Sequence, residues 1–371
     1  MEDILGGEER SEIQSVPQEG GYSEIDRELE EILKKQSARI KVIGVGGAGG
    51  NTTSRMRTVG IKGGAIIAIN TDAQDLLYAN ADQKILIGRE LSKGLGAGSN
   101  PRIGAEAAKE QQQEIKKKIS NSDLVFVTCG LGGGTGTGAA PVVAEIAKKQ
   151  GALVIGVVTL PFTVEGAKRI ENAMDGLERM EGIVDTLIVI PNDKLLDLAP
   201  DLPLPTAFRV ADEILTNAVK GITELVTSSG LVNLDFADIK TVMANGGVSL
   251  IGMGESDSND RAMEAVDKAI NNPLLDVDIK NAKGALVNVI GGTDLSLEEY
   301  KQVVQKIGEQ LSPDAKLISG AQISKDLEKS LKVMVIVTGV KSPQISGERL
   351  PIEQVRKRDM EEELGIEFFE E

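Results

Sequence analysis

The 371-residue chain contains no histidine, which removes imidazole acid–base catalysis, histidine-based triads and the common zinc sites. A single cysteine, Cys129, excludes a disulfide framework and a cysteine metal cluster, and predicts a reduced, cytoplasmic setting. Aromatic residues make up only 2%, so the core must be built from Val, Ile, Leu and Ala. Bases are outnumbered, 41 Lys and Arg against 57 Asp and Glu, for a formal net charge of -16. That balance argues against nucleic acid as a partner. It also repels free nucleotides at long range, so a phosphate site must rely on local dipoles or a metal ion. No apolar run approaches the roughly 20 residues that span a bilayer. The acidic start, Met1 to Gly6, lacks the charged-then-apolar order of a signal peptide, and no direct membrane insertion is expected.

Glycine, in contrast, is plentiful, and its clusters fall at telling places. Gly132-Gly133-Gly134-Thr135-Gly136-Thr137-Gly138 lies between a strand signal, Leu124 to Thr128, and a helix signal, Ala139 to Lys149 with Pro141 in its first turn. Such a run offers bare backbone N–H groups beside the positive end of a helix, which is an anion cradle. A flexible surface loop is the alternative, but it would not normally sit between two core elements.

From Ile40 the pattern is strand, glycine loop, helix, repeated. Strands are expected at Ile40 to Val45, Ala65 to Asn70, Lys84 to Ile87, Leu124 to Thr128, Leu153 to Leu160 and Thr186 to Ile190. This alternation predicts an α/β fold, a Rossmann-like parallel sheet with helices on both faces and ligands at the carboxyl ends of the strands. Phe208, Ala211, Leu215, Ala218, Ile222 and Val226 then lie on one helical stripe, a long central helix joining a smaller α/β region. In that region helices are expected near Arg261 to Ile270 and Ser296 to Leu311, and strands near Gly284 to Ile290 and Lys332 to Thr338. The expected organisation is a charged extension (1–38), a nucleotide-binding domain (39–202), the linking helix (203–230), a C-terminal α/β domain (231–352) and a charged tail (353–371). Ser23 to Lys35 reads as an amphipathic helix within the extension.

Gly44-Val45-Gly46-Gly47-Ala48-Gly49 matches the G-x-G-x-x-G fingerprint, with Asp72 after the next strand. Taken alone it suits a dinucleotide and an NAD-dependent oxidoreductase. Two glycine loops converging on one sheet edge suit a polyphosphate better. There is no G-x-x-x-x-G-K-[ST], and neither loop holds a lysine, so backbone N–H groups, the Thr135 and Thr137 hydroxyls and a divalent cation would have to hold the phosphates.

The run Gly132 to Gly138 resembles the signature of the tubulin/FtsZ superfamily, and the opening Gly44 to Asn51 is similar to the FtsZ branch of it. The likeness extends from about Ile40 to about Val340. It implies a GTPase, with GTP/GDP and Mg2+ as ligands, that assembles head to tail with itself into protofilaments of a division ring at mid-cell. By the same resemblance Gly46, Gly47, Ala48, Gly49, Gly50 and Asn51 line the phosphates and reach the base. Gly133, Gly134, Thr135, Gly136 and Thr137 form the second cradle. Thr71 and Asp72 lie by the phosphates and metal, Ala97 and Gly98 sense the γ-phosphate, and Glu165 and Arg169 hold ribose and phosphates. The i,i+4 spacing of Glu165 and Arg169 equally fits an exposed helix ion pair. Phe208 and Asp212, four apart, share a helix face. A ring there stacks on a purine, and a carboxylate beside it accepts from guanine N1–H and its 2-amino group, with Asn192 adding a polar contact; Phe208 equally suits a core. Asp235 and Asp238, in Asn233-Leu234-Asp235-Phe236-Ala237-Asp238, read on spacing alone as a helix cap. The resemblance implies instead that they complete the site of a neighbouring subunit as catalytic residues. A filament that binds GTP without hydrolysing it is a further alternative. Division and membrane-tethering partners are expected, with Leu364, Ile366, Phe368 and Phe369 of the tail as a docking peptide or as a strand packed on the body.

Overall fold

The computed structural model describes residues 38–340 except 62, 199–202, 228–231, 233 and 276–278. The expected helix at Ser23 to Lys35, Asn233 and the tail with Leu364, Ile366, Phe368 and Phe369 lie outside the described residues.

Six strands form the first part of the sheet: β1 (Ile40–Val45), β2 (Gly64–Asn70), β3 (Gln83–Leu86), β4 (Leu124–Gly130), β5 (Leu153–Leu160) and β6 (Thr186–Pro191). Their order is β3-β2-β1-β4-β5-β6, and every neighbouring pair is parallel. Val, Ile and Leu dominate because both faces are covered; all eight residues of β5 are buried. The covering helices are α1 (Gly46–Val59), α2 (Ala73–Tyr78), α3 (Pro101–Glu110), α4 (Gln112–Ile119), α5 (Thr135–Lys149), α6 (Ala167–Glu181) and α7 (Asp193–Leu198). The long stripe becomes α8 (Leu204–Thr227), with Ala211, Leu215, Ala218 and Ile222 buried. The sheet continues through β7 (Gly247–Ser256), β8 (Gly284–Gly291), β9 (Lys316–Ile323) and β10 (Leu331–Thr338) in the order β7-β10-β8-β9. This part carries α9 (Phe236–Met243), α10 (Arg261–Ile270) and α11 (Leu297–Gly308). Strand β6 joins β7 in parallel from Thr186↔Gly247 to Ile188↔Ser249, whereas β10 runs antiparallel to β7 and β8.

Strand order reverses between β1 and β4, which are paired from Ile40↔Leu124 to Gly44↔Thr128. Helix α1 packs its Met56 with Val42 and Phe126 on one face, and α5 packs Val143 with Val45 and Val125 on the other. Two neighbouring strands thus send their helices to opposite faces, leaving a crevice at their carboxyl ends.

The second glycine run departs from its expected form. Helix α5 begins at Thr135, not Ala139, so Pro141 stands inside the helix and Gly136 and Gly138 are helical. Close packing explains the glycines: a Cβ on Gly138 would lie 1.9 Å from the Pro101 carbonyl oxygen, at the head of α3. Strands β7 and β9 were not expected from the sequence, and they complete the C-terminal part.

Candidate functional site

A cleft of about 580 Å³ opens in the crevice. The loops after β1 and β4 meet there. Gly46 has φ +76, and a Cβ on it would lie 2.9 Å from the Gly136 nitrogen. The Thr71 and Thr135 hydroxyls are 2.6 Å apart, tying the end of β2 to the head of α5. Gly46, Gly47, Ala48 and Asn51 line one wall, and Gly133, Gly134, Thr135 and Gly136 another. Both walls are helix beginnings, where the first backbone N–H groups have no partner within the helix. This geometry favours an anion.

A further wall is built by α8. Phe208 is 40% exposed toward the cleft and rests edge-on against buried Phe162, with ring centroids 5.3 Å apart at 81°. One turn on, Asp212 Oδ1 accepts from the Thr52 hydroxyl at 2.6 Å. Burial pushes the Asp212 carboxyl above the usual carboxylate range, against the opposing effects of the Thr52 hydrogen bond and the Arg55 charge. Asn192 also lines the cleft and is buried, yet its Oδ1 has no hydrogen-bond partner. A buried amide oxygen left unpaired is costly and suits a ligand N–H.

Other candidates fall in and out of this enclosure. Asp72 lines the cleft and caps α2, accepting from the Gln74 and Asp75 N–H groups at 2.8 and 3.1 Å. Glu165 and Arg169 line it as an ion pair, and Glu165 also accepts from the Phe162 N–H at 2.9 Å. Gly50 faces an adjoining cavity shared with Gly46 and Gly47. Gly49, Ala97, Gly98 and Thr137 do not line the cleft. A Cβ on Gly49 would lie 2.6 Å from the Thr128 oxygen, and Ala97 is buried against Gly134. Gly98 is exposed, while neighbouring Gly96 reaches the cleft. The Thr137 hydroxyl turns inward and accepts from the Gly132 N–H at 2.9 Å. Cys129 is buried, which pushes its thiol up to about 12 and leaves it inert.

Asp235 and Asp238 lie elsewhere, at the head of α9. They form a reciprocal cap: the Asp238 N–H donates to Asp235 at 2.8 Å, and the Asp235 N–H donates to Asp238 at 3.1 Å. Helix α8 separates them from the cleft. At about 1.5 Å per residue it carries the chain roughly 22 Å from Asp212 to Thr227.

Sequence reasoning passed over Thr52, Asn70 and Asp75, which also line the cleft. Thr52 was detectable, one turn beyond Ala48 on the same helix face. Nothing local marks Asn70 and Asp75, whose role depends on β2 lying beside β1.

The fold and the two-loop cleft define a nucleotide-binding protein of the tubulin/FtsZ class. Residues 39–200 match the GTPase domain of the Tubulin/FtsZ family, and residues 247–341 match the FtsZ family C-terminal domain. Cell division protein FtsZ 1 of Thermococcus kodakarensis is 57% identical over 92% of this chain and 92% of its own length. Its counterpart in Pyrococcus abyssi is 58% identical over 93% and 92%. An empty FtsZ dimer from M. jannaschii superposes with a TM-score of 0.82 at 57% identity, covering 86% of this chain and 93% of that one. The GDP-bound CetZ1 monomer from Haloferax volcanii gives 0.74 at 26% identity, covering 86% and 100%. The chain belongs to the FtsZ family and is a GTPase. Nothing in these matches supports the oxidoreductase alternative.

Proposed function

We propose that the cleft holds GTP with its phosphates on the two glycine loops and its base between Phe208, Asp212 and Asn192, and that turnover awaits a second subunit. The chain is a GTP-binding, filament-forming cell-division protein. The observation that carries the split-site reading is the distance set by α8. Of the carboxylates in the cleft, Asp72, Glu165 and Asp212 hold partners and Asp75 stands beside Gly47, whereas Asp235, exposed in its cap with Asp238, lies far down the chain. Head-to-tail stacking brings an Asp235–Asp238 loop onto the next molecule's cleft, where the two carboxylates orient the attacking water. Such an interface is heterologous and propagates into an open filament.

The donor set fits magnesium. It prefers oxygen ligands, keeps several waters and binds through one or two carboxylates plus phosphates. Among the described residues no cluster of three or more acidic, histidine or cysteine side chains is built to cage a metal. Asp72 supplies an oxygen beside the phosphate loops, and the ion, when bound, neutralises phosphate charge. Division at a mid-cell ring and tethering by other proteins complete the proposal. Among the described residues no helix is long and apolar enough to cross a membrane.

Identifying the nucleotide carried by the purified protein, and pelleting it with and without GTP, tests the reading. Guanine nucleotide and GTP-dependent sedimentation are expected. A different base, or equal sedimentation in both conditions, contradicts it.

A further inference from the structure

Thr52 is buried within α1, one turn past Ala48. Its hydroxyl has one proton and two acceptors in reach, the Ala48 carbonyl at 3.0 Å and Asp212 Oδ1 at 2.6 Å. The shorter contact, to a carboxylate, is the stronger one, so the proton goes to Asp212. One turn further along α1, Arg55 pairs with Glu213 at 3.1 Å and holds the two helices in register.

The protonation state of Asp212 decides which purine it fits. An ionised carboxylate accepts on both oxygens and matches the N1–H and 2-amino donors of guanine. A neutral carboxyl donates from one oxygen and accepts on the other, which matches N1 and the 6-amino group of adenine. We propose that Thr52 is the positioning residue that makes the cleft choose guanine over adenine, its hydroxyl holding Asp212 in place as an acceptor. The inference rests on the base-pocket reading above.

Burial works against the ionised form of Asp212, and the Thr52 hydroxyl opposes burial. The other charges near it are few. Of the elements packed on α8, α1 carries Arg55 and Arg57, the latter paired with Asp82 at 2.9 Å, α7 carries Asp193, Lys194 and Asp197, and β5 carries no charged residue. Asp193 accepts from the Thr163 N–H at 2.9 Å, and Glu213 is engaged by Arg55. Asp72, Asp75 and the Glu165–Arg169 pair stand on other walls of the cleft.

The test measures binding of fluorescent guanosine and adenosine diphosphates to the full chain between pH 5 and 8, for the wild type and Thr52→Val, Thr52→Ser and Asp212→Ala. Thr52→Val keeps the shape and loses the hydroxyl. It should weaken guanine binding about tenfold, narrow the guanine preference, and shift the acid-side loss of affinity to higher pH. Thr52→Ser, which retains the hydroxyl, should restore all three. A Thr52→Val protein with wild-type preference and pH profile, beside an Asp212→Ala protein that loses guanine, overturns the role of Thr52 alone. Unchanged guanine binding by Asp212→Ala overturns the base-pocket reading, and this inference with it.

Discussion

The hydroxyls of Thr71 and Thr135 meet at 2.6 Å, and through them the end of β2 is fastened to the first residue of α5. Neither threonine is near the other in sequence. Their contact fastens together two walls of the cleft proposed to hold the phosphates.

Removing that contact should loosen the cradle without unfolding the sheet. Thr135→Ala and Thr71→Val are each expected to weaken GDP binding by roughly fivefold, the worth of one hydrogen bond. In a double-mutant cycle the effects should not add, because both remove the same contact. Calorimetric titration of the three variants checks this; additive losses would show that the hydroxyls act separately.

Asp235→Asn and Asp238→Asn keep the shape of the side chains while removing the charges. Asn is as good a cap as Asp, so α9 should keep its stability at position 235. GTP affinity should stay near wild type while phosphate release falls on the order of a hundredfold. Wild-type turnover in both variants would leave the pair a helix cap and nothing more.

Arg261 is buried and pairs with Glu299 at 2.6 Å and Asp294 at 2.8 Å, clamping α10 to the head of α11. Hydrogen bonding from Arg261 holds the Glu299 carboxyl down to about 2. A depressed carboxylate stabilises the fold above its unfolded pKa, near 4.3, and that contribution fades as pH falls toward 2. Glu299→Gln should therefore cost on the order of 3 kcal/mol at pH 7 and progressively less below pH 4. Urea denaturation across that range measures the difference; a constant gap at all pH values would exclude the ion pair as its source.

Subunits that each carry -16 repel one another. Assembly should improve with magnesium or moderate salt, which screen that charge. Light scattering at graded ionic strength checks this, and undiminished assembly at low salt without divalent ions would contradict it.

Much of this arrangement was legible in the sequence, for identifiable reasons. Strands such as β1 and β5 are dense in Val, Ile and Leu, and the α8 stripe keeps its period through Val226. Strand β7 escaped because apolar side chains are sparse in it, with Ser249, Gly252 and Gly254 set among Val248, Leu250, Ile251 and Met253. Those glycines are there for packing: a Cβ on either would lie 2.1 Å from a carbonyl oxygen of α10, at Ala269 and Ala265. Strand β9 is half-exposed and ends the sheet, so it lacks the uniform apolar character of the others. In the site, the glycine loops marked two walls of the cleft. Their spacing did not tell lining residues from buried ones, and so Gly49 and Thr137 were grouped with Gly46 and Thr135. That distinction depends on tertiary packing, Gly49 against the Thr128 carbonyl and the Thr137 hydroxyl toward the Gly132 N–H. The Thr52–Asp212 contact was hidden for a different reason: 160 residues separate its members.

The central claim, one reaction centre assembled from two molecules, is tested most directly by mixing two inactive variants. One carries Asp235→Asn and Asp238→Asn with its cleft intact; the other carries Asp212→Ala and Thr135→Ala with its loop intact. Phosphate release in the mixture should rise well above the sum of the separate proteins, since each supplies what its neighbour lacks. A mixture no more active than its two components would contradict a shared site.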